Sequence, residues 1–284
     1  MLNILNASFR LKGYAGMPKN LIPVQRRQQI LEYLQKNRTV RSAVLRDMFD
    51  SSEATIRRDL EWLEKHGCVE RTHGGAILVQ RMQHEALYSA SAREYPEEKR
   101  RIGKLAASLV ENGETIFLNN GTTTTEVMLA LQMRQDLDQL TIFTNNVSAA
   151  VTAREAPFEI VLVGGSFRPR SNSLVGRFAA DVLRQVFAHR VILGADGVGL
   201  KHGCTSPISQ EAEIGQLMIE RCLGPTMIVI DHSKWGVIAP YQVATIDQID
   251  ILVTDSELPD DSHKGLENLD IELLIAEQGP PGLS

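Results

Sequence analysis

Near the start of the chain, apolar positions recur at helical spacing three times. Ile30, Leu31 and Leu34 mark a first helix that opens after Pro23 and ends near Asn37, because residues three and four apart share one helix face. Pro23 suits a first turn, where its missing N–H is no loss. Val44, Leu45 and Met48 mark a short second helix over about 41–49. A third runs from about Glu53 to His66, with Ile56, Leu60 and Leu63 on its inner face and Gly67 as its stop. Asp50-Ser51-Ser52 precedes it, and such side chains accept from the free N–H groups of a helix start. This register leaves Thr55, Arg57, Arg58 and Asp59 on the outer surface. After Gly67, two β-prone runs, Cys68–Arg71 and Ala76–Val79, flank Thr72-His73-Gly74-Gly75, which is the pattern of a hairpin. Three helices and a two-stranded ribbon predict a winged helix-turn-helix over 19–79.

The period then changes. Residues 80–96 are polar and read as a linker or connecting helix. A helix over Glu98–Glu111 leads into short β-branched runs, each followed by an amphipathic stretch: Thr115–Leu118, Leu140–Phe143, Glu159–Val163, Arg190–Leu193, Thr226–Ile230 and Ile251–Val253. Strands alternating with helices imply βαβ units and a mainly parallel sheet. Continuous rather than alternating apolar runs fit strands covered on both faces. The expectation is an α/β, Rossmann-like second domain over 97–258. Residues 1–18 read as a disordered arm, or as a misplaced start with Met17 the initiator. Residues 259–284 read as an acidic tail, with Gly279-Pro280-Pro281-Gly282 lacking fixed structure.

Composition adds exclusions. Apolar residues make up 43% and charged residues 23%, as in ordinary globular domains. No apolar run approaches the ~20 residues that span a bilayer, and Arg10 and Lys12 have no apolar stretch beside them to make a secretory signal. The expected setting is the cytoplasm. Cys68, Cys204 and Cys222 form neither a CxxC pair nor a zinc pattern, so free thiols are expected and no metal or cofactor is implied. The net charge of −5 conceals a contrast. Residues 19–81 carry 12 Lys/Arg against 8 Asp/Glu, a net of +4, and residues 82–284 carry a net of −11. A mildly basic head on an acidic body suits a nucleic-acid reader with a separate second domain.

Two groups of residues carry chemistry. If the third helix is a recognition helix, its N-terminal end meets base edges in the major groove. There Ser52 and Thr55 are short hydrogen-bonding groups, and Arg57 and Arg58 can fork to guanine or clamp phosphate. The plain alternative is that Glu53 and Arg57 form a surface ion pair at i, i+4. The second group lies at the predicted strand ends, where open parallel sheets bind ligands. Asn119-Asn120-Gly121-Thr122-Thr123-Thr124-Thr125 opens a helix with a glycine and hydroxyls, a natural anion site. Thr144-Asn145-Asn146, Gly164-Gly165 with Arg168 and Arg170 nearby, Gly194-Ala195-Asp196-Gly197, and Asp231-His232-Ser233-Lys234 end the others.

The stretch Gln25–Ile77 resembles the DNA-binding domain of the DeoR family of bacterial transcriptional regulators. The likeness rests on Arg26-Arg27, on Ser52-x-x-Thr55-Ile56-Arg57-Arg58-Asp59-Leu60 and on Arg71-Thr72-His73-Gly74-Gly75-Ala76. Residues Glu98–Asp255 resemble that family's sensor domain through the Gly-Thr-Thr run, Thr144-Asn145-Asn146, Gly164-Gly165, Gly197 before Gly203, and Asp231-His232-Ser233-Lys234. The resemblance implies a repressor of carbohydrate-metabolism genes that binds a double-stranded DNA operator and is released by a phosphorylated sugar. It also implies a homodimer or homotetramer, and a fold similar to ribose-5-phosphate isomerase and the coenzyme A transferases. Arg26, Arg27, Ser52, Thr55, Arg57, Arg58 and His73 would meet DNA. Gly121, Thr122, Thr123 and Thr124 would cradle a phosphate. Asn119, Thr144, Asn145, Asn146, Gly164, Gly165, Asp196, Gly197, Glu211 and Lys234 would complete the effector site. Two positions depart from the family pattern: Asn119 stands where Asp is usual, and Gly215 where a basic residue is frequent. An amide cannot deprotonate, so the effector or the response differs there. The competing readings are an isomerase-like enzyme using Asp196, Glu211 and Lys234, and a constitutive DNA-binding protein with an inactive sensor.

Overall fold

A computed structural model describes residues 21–72, 74–82, 84–267 and 269–278. The expected arm at 1–18, the wing residue His73 and the Gly279–Gly282 run lie outside them. The described chain forms two compact units that divide between Val79 and Gln80.

The first unit contains α1 (Pro23–Asn37), β1 (Thr39–Arg41), α2 (Ser42–Phe49), α3 (Glu53–Lys65), β2 (Val69–Arg71) and β3 (Gly75–Leu78). Ile30, Leu34, Leu45, Ile56, Leu60 and Leu63 have no exposed surface and form its centre. The Ser52 side chain caps α3 by accepting from the Thr55 N–H, so the start signal read from sequence acts as a cap. The ribbon has three strands in the order β1-β3-β2, one more than expected. Gly75 explains the added pairing: a Cβ there would lie 2.0 Å from the Val40 carbonyl oxygen, so only glycine lets β3 close against β1.

One surface assignment is corrected. Asp59 is 1% exposed. It lies three residues after Ile56 and four before Leu63, which places it on the inner stripe of α3. Two arginines of α1 make its burial possible. Arg26 Nε lies 2.5 Å from Oδ2 and Arg27 Nε 2.7 Å from Oδ1, and the Arg27 guanidinium also sits 4.5 Å from the Trp62 ring centre. The sequence places Arg26 and Arg27 on DNA. In the structure their Nε groups are spent on Asp59, and Arg26 is buried.

The second unit begins with β4 (Gln80–Arg81), α4 (Tyr88–Ser91), α5 (Pro96–Ser108), β5 (Thr115–Leu118), α6 (Thr122–Gln132), β6 (Thr141–Thr144), α7 (Val147–Thr152) and β7 (Glu159–Leu162). It continues with β8 (Ser166–Arg168), β9 (Ser173–Val175), α8 (Arg177–Leu183), β10 (Arg190–Leu193), β11 (Gly197–Gly199), β12 (Gly203–Ser206), α9 (Ser209–Glu220) and β13 (Thr226–Val229). Last come β14 (Val237–Ile238), β15 (Tyr241–Ala244), β16 (Ile251–Asp255), α10 (Asp260–Glu267) and β17 (Glu272–Ala276). Seven strands form one sheet in the order β17-β16-β13-β10-β5-β6-β7, with every neighbouring pair parallel. β13 and β16 are buried along their whole length, as their unbroken apolar runs require.

All six strands expected from the apolar runs are in this sheet. The seventh, β17, falls in the stretch read as a tail: it carries Leu273, Leu274 and Ile275 in succession and pairs with β16 from Ile251↔Glu272 to Asp255↔Ala276. The stretch read as a linker or connecting helix contains a short strand and a helical turn. Gln80–Arg81 pairs with Val237–Ile238, and Tyr88–Ser91 is a helical turn. Polar composition masked this packing because the segment is held by hydrogen bonds and ion pairs rather than by an apolar stripe.

The strand order fixes where a ligand site can form. From β5 the chain steps outward through β6 to β7, and then returns to fill the other side with β10, β13, β16 and β17. The direction reverses between β5 and β10. The loops leaving these two strands part there and open a crevice beyond their carboxyl ends.

Candidate functional site

That crevice holds a hollow of about 90 Å³. Its β5 wall is Asn119, Asn120, Gly121, Thr122 and Thr123. Gly121 precedes α6 with φ 149°, a conformation that side-chain-bearing residues rarely adopt. The N–H groups of Thr122 and Thr123 lie in the first turn of α6, with no helical carbonyl before them to receive their protons. They and the positive end of the helix dipole favour an anion.

Asn119 ties the two parting strands together. Its Nδ2 donates to the Gly194 carbonyl at 2.9 Å, and its Oδ1 accepts from the Gly194 N–H at 2.8 Å. An amide offers both the acceptor and the donor that the N–H and C=O of one residue require, which an ionised carboxylate cannot. The amide at position 119 therefore has a structural use.

Gly194, Ala195 and Asp196 form the β10 side of the hollow, and Ser206, Glu211 and Lys234 face it from the surrounding elements. Burial pushes the Asp196 carboxyl up to about 6, the nearby Glu211 adds to the rise, and Lys234 opposes it. Glu211 Oε1 accepts from Ser171 Oγ at 2.5 Å and Ser173 Oγ at 2.8 Å, with Arg168 Nε at 3.4 Å. These bonds hold a charged carboxylate in place at the start of α9.

Other residues expected at the site stand behind it. Thr124 Oγ1 donates to the Asn119 and Gly121 carbonyls. Thr144 Oγ1 donates to the Leu118 carbonyl. The fully buried Asn145 donates to Asn120 Oδ1 and the Leu174 carbonyl. Asn146 caps α7 by accepting from the Ala149 N–H and donates to the Gly121 carbonyl at 3.0 Å. They fix the loop that carries Gly121 but do not line the hollow. Gly164 and Gly165 turn the chain from β7 into β8 away from it, and Gly197 lies in β11 against the Val237 carbonyl.

Sequence reasoning missed the wall supplied by 85–91. Glu85, Ala86, Tyr88 and Ser91 line the hollow, and Tyr88 Oη lies 2.8 Å from Thr125 Oγ1. It also missed Lys99, which is 2% exposed. Lys99 Nζ donates to the carbonyls of Ser91 at 2.5 Å and Glu94 at 2.7 Å and sits 3.7 Å from Asp231 Oδ2. Burial lowers its pKa, against the pull of Asp231. A signal existed for Lys99, since it shares the inner face of α5 with Ile102 and Ala106 at spacings of three and four. Nothing in composition marked Glu85 or Tyr88. Among the described residues, no group of three or more His, Cys, Asp or Glu is placed to hold a metal.

In the first unit, the outer face of α3 presents Arg57 and Arg58, both exposed, with Thr55 half-buried beside them. Arg57 Nε lies 3.5 Å from Glu61, a partner other than the expected Glu53.

Residues 26–82 match the family described as DeoR-like helix-turn-helix domain, and residues 94–256 that described as DeoR C terminal sensor domain. The chain belongs to the DeoR family. It is 33% identical to the HTH-type transcriptional regulator GlpR of Haloferax volcanii over 256 residues, covering 89% of this chain and 98% of that protein. It is 31% identical to the HTH-type transcriptional repressor GlcR of Bacillus subtilis, covering 88% and 95%. A ribose 5-phosphate isomerase from Methanocaldococcus jannaschii is similar at 17% identity and a TM-score of 0.38, covering 49% of this chain and 54% of that one. As a DeoR-family transcriptional regulator, the protein reads DNA with the first unit. No helix among the described residues is long and apolar enough to cross a membrane.

Proposed function

We propose that this regulator is a cytoplasmic repressor of carbohydrate-metabolism genes, released from its operator by a phosphorylated sugar bound in the hollow. The observation that carries this reading is the meeting of two chemistries at the strand-order reversal. An anion cradle at Gly121–Thr123 faces Asp196, Glu211 and Lys234, which suit sugar hydroxyls and charge. Dimers or tetramers of the chain would place two winged units on a repeated operator. Arg57, Arg58, Thr55 and the wing residue His73 would meet DNA, with Arg26 and Arg27 acting through their hold on Asp59. The effector releases the operator only to the extent that it binds the weakly DNA-binding state more tightly.

The carboxylates favour one alternative, an isomerase-like activity, because a group titrating at about 6 suits acid–base work. Asn119 counts against it, since its amide cannot take a proton and both its ends are committed to Gly194. The test is titration of sugar monophosphates into the full-length protein bound to DNA from upstream of its own gene. Release by one of them, without exchange of its C1 or C2 protons with solvent, supports the sensor. Thr123→Ala should raise the concentration needed for release by roughly tenfold, the worth of one lost charge-assisted contact. Proton exchange on the sugar, or release that no sugar phosphate produces, would overturn the proposal.

A further inference from the structure

The stretch between the operator-reading unit and the parallel sheet contributes side chains to the hollow, and Glu85 is the most informative of them. Its side chain is 11% exposed, and Oε2 is held by Arg168 at 2.8 Å, with Arg170 at 3.8 Å. Its other oxygen, Oε1, is buried with no hydrogen-bond partner among the described residues. A buried carboxylate oxygen without a donor is costly and requires an explanation. Glu85 lines the same hollow as the Gly121–Thr123 cradle, and the group that suits its unpaired oxygen is a donor.

The backbone around Glu85 is fastened to the same walls. The Glu85 carbonyl accepts from Arg170 Nε at 2.9 Å, and the Tyr88 N–H donates to the Arg170 carbonyl at 2.8 Å. The Tyr88 hydroxyl bonds Thr125 on α6, the helix whose first turn forms the cradle. Lys99 holds the Ser91 carbonyl. A group that bridges the cradle and Glu85 therefore presses on the residues through which the chain runs to the DNA-reading unit.

We infer that Glu85 is a ligand-contacting and specificity-determining residue of this pocket. Its Oε1 accepts a hydrogen bond from a ligand hydroxyl, and the segment 85–91 thereby becomes the part of the sensor that registers occupancy. The inference rests on the pocket reading above and narrows it. The ligand carries one anionic end for Gly121–Thr123 and at least one free hydroxyl at the other end. A bare phosphate fills only the first position.

The test uses full-length protein with four probes: inorganic phosphate, glycerol 3-phosphate, ribose 5-phosphate and glucose 6-phosphate. At least one of the three organic probes should bind more tightly than phosphate and slow amide hydrogen exchange across 85–91. Glu85→Ala should reduce the ratio of that probe's affinity to the affinity for phosphate by roughly 10- to 100-fold, the worth of a hydrogen bond to a charged group. Should the variant fail to fold, exchange in the unaltered protein decides. Binding without slowed exchange at 85–91, or an unchanged affinity ratio, overturns the role of Glu85 and leaves the pocket intact. Failure of every organic probe to bind more tightly than phosphate overturns the pocket reading and this inference with it.

Discussion

Replacing Asp59 with alanine removes the one carboxylate that two arginines of α1 share. Asp59 is 1% exposed, whereas the Arg26 and Arg27 side chains are 11% and 20% exposed. Removing one partner of a buried pair costs about 3–5 kcal/mol, because the charge left behind keeps its desolvation penalty. Here both guanidiniums retain some access to water, so the lower end applies, about 3 kcal/mol. A unit of this length is stabilised by only about 3–9 kcal/mol in total. Asp59→Ala therefore removes a third or more of what holds the DNA-reading unit together. Scanning calorimetry of the full chain should show the first unit's transition lowered by ~12 °C or more, since each kcal/mol moves a small domain's midpoint by about 4–8 °C. The transition of the second unit should not move. Arg57→Ala serves as the control: its ion pair with Glu61 is exposed and contributes under about 0.5 kcal/mol. A shift for Asp59→Ala no larger than that of Arg57→Ala would show that the buried pair does not hold α1 on α3.

Three further outcomes are expected. Arg58→Ala should weaken operator binding by ~1–3 kcal/mol at fixed salt, and unchanged affinity would remove Arg58 from the DNA contacts. Asn119→Asp replaces the Nδ2 donor with an acceptor facing the Gly194 carbonyl, and should destabilise the second unit by about 1–3 kcal/mol at neutral pH; an equally stable variant would mean that the Gly194 tie is dispensable. Asp196 has a raised folded-state pKa, so the folded protein holds its proton between the ordinary value of 3.8 and about 6 while the unfolded chain has released it. Stability from this group is present below that window and is lost as pH rises through it. Wild type should lose stability relative to Asp196→Asn across that range and level off above it, and a flat difference would contradict burial as the cause of the shift.

Periodicity made six of the sheet's seven strands and the three head helices legible, because each carries an apolar run or stripe in its sequence. What it could not convey was polar burial. Asp59 reads as a surface residue if only apolar neighbours are counted, yet its spacing from Ile56 and Leu63 puts it inside, and the arginines that make this tolerable lie 32 and 33 residues earlier. The strand-end motifs were legible as a group, but residue type alone did not separate lining from support. Thr123 faces the hollow, while Thr124, beside it, turns its hydroxyl back to the Asn119 carbonyl. Glu85 and Tyr88 were illegible for a different reason. They sit in a polar stretch with no period, and their place depends on partners 37 to 85 residues away.

The amide at position 119 links the fold to the kind of work this pocket can do. The sheet's order reverses between β5 and β10, so no crossover helix joins those two strand ends directly, and their loops must diverge. A crevice made this way is a good binding place and a weak seam. Asn119 closes the seam by bonding both the N–H and the C=O of Gly194, which a carboxylate could match only by holding a proton. The same amide puts no base in the lining of the hollow and ties the frame around it. A sensor benefits on both counts, because it needs to bind without turnover and to pass the effect of binding on to residues that move relative to a fixed wall. The wall at 85–91 is fastened differently, by side-chain bonds from Arg168, Arg170 and Thr125 rather than by the sheet.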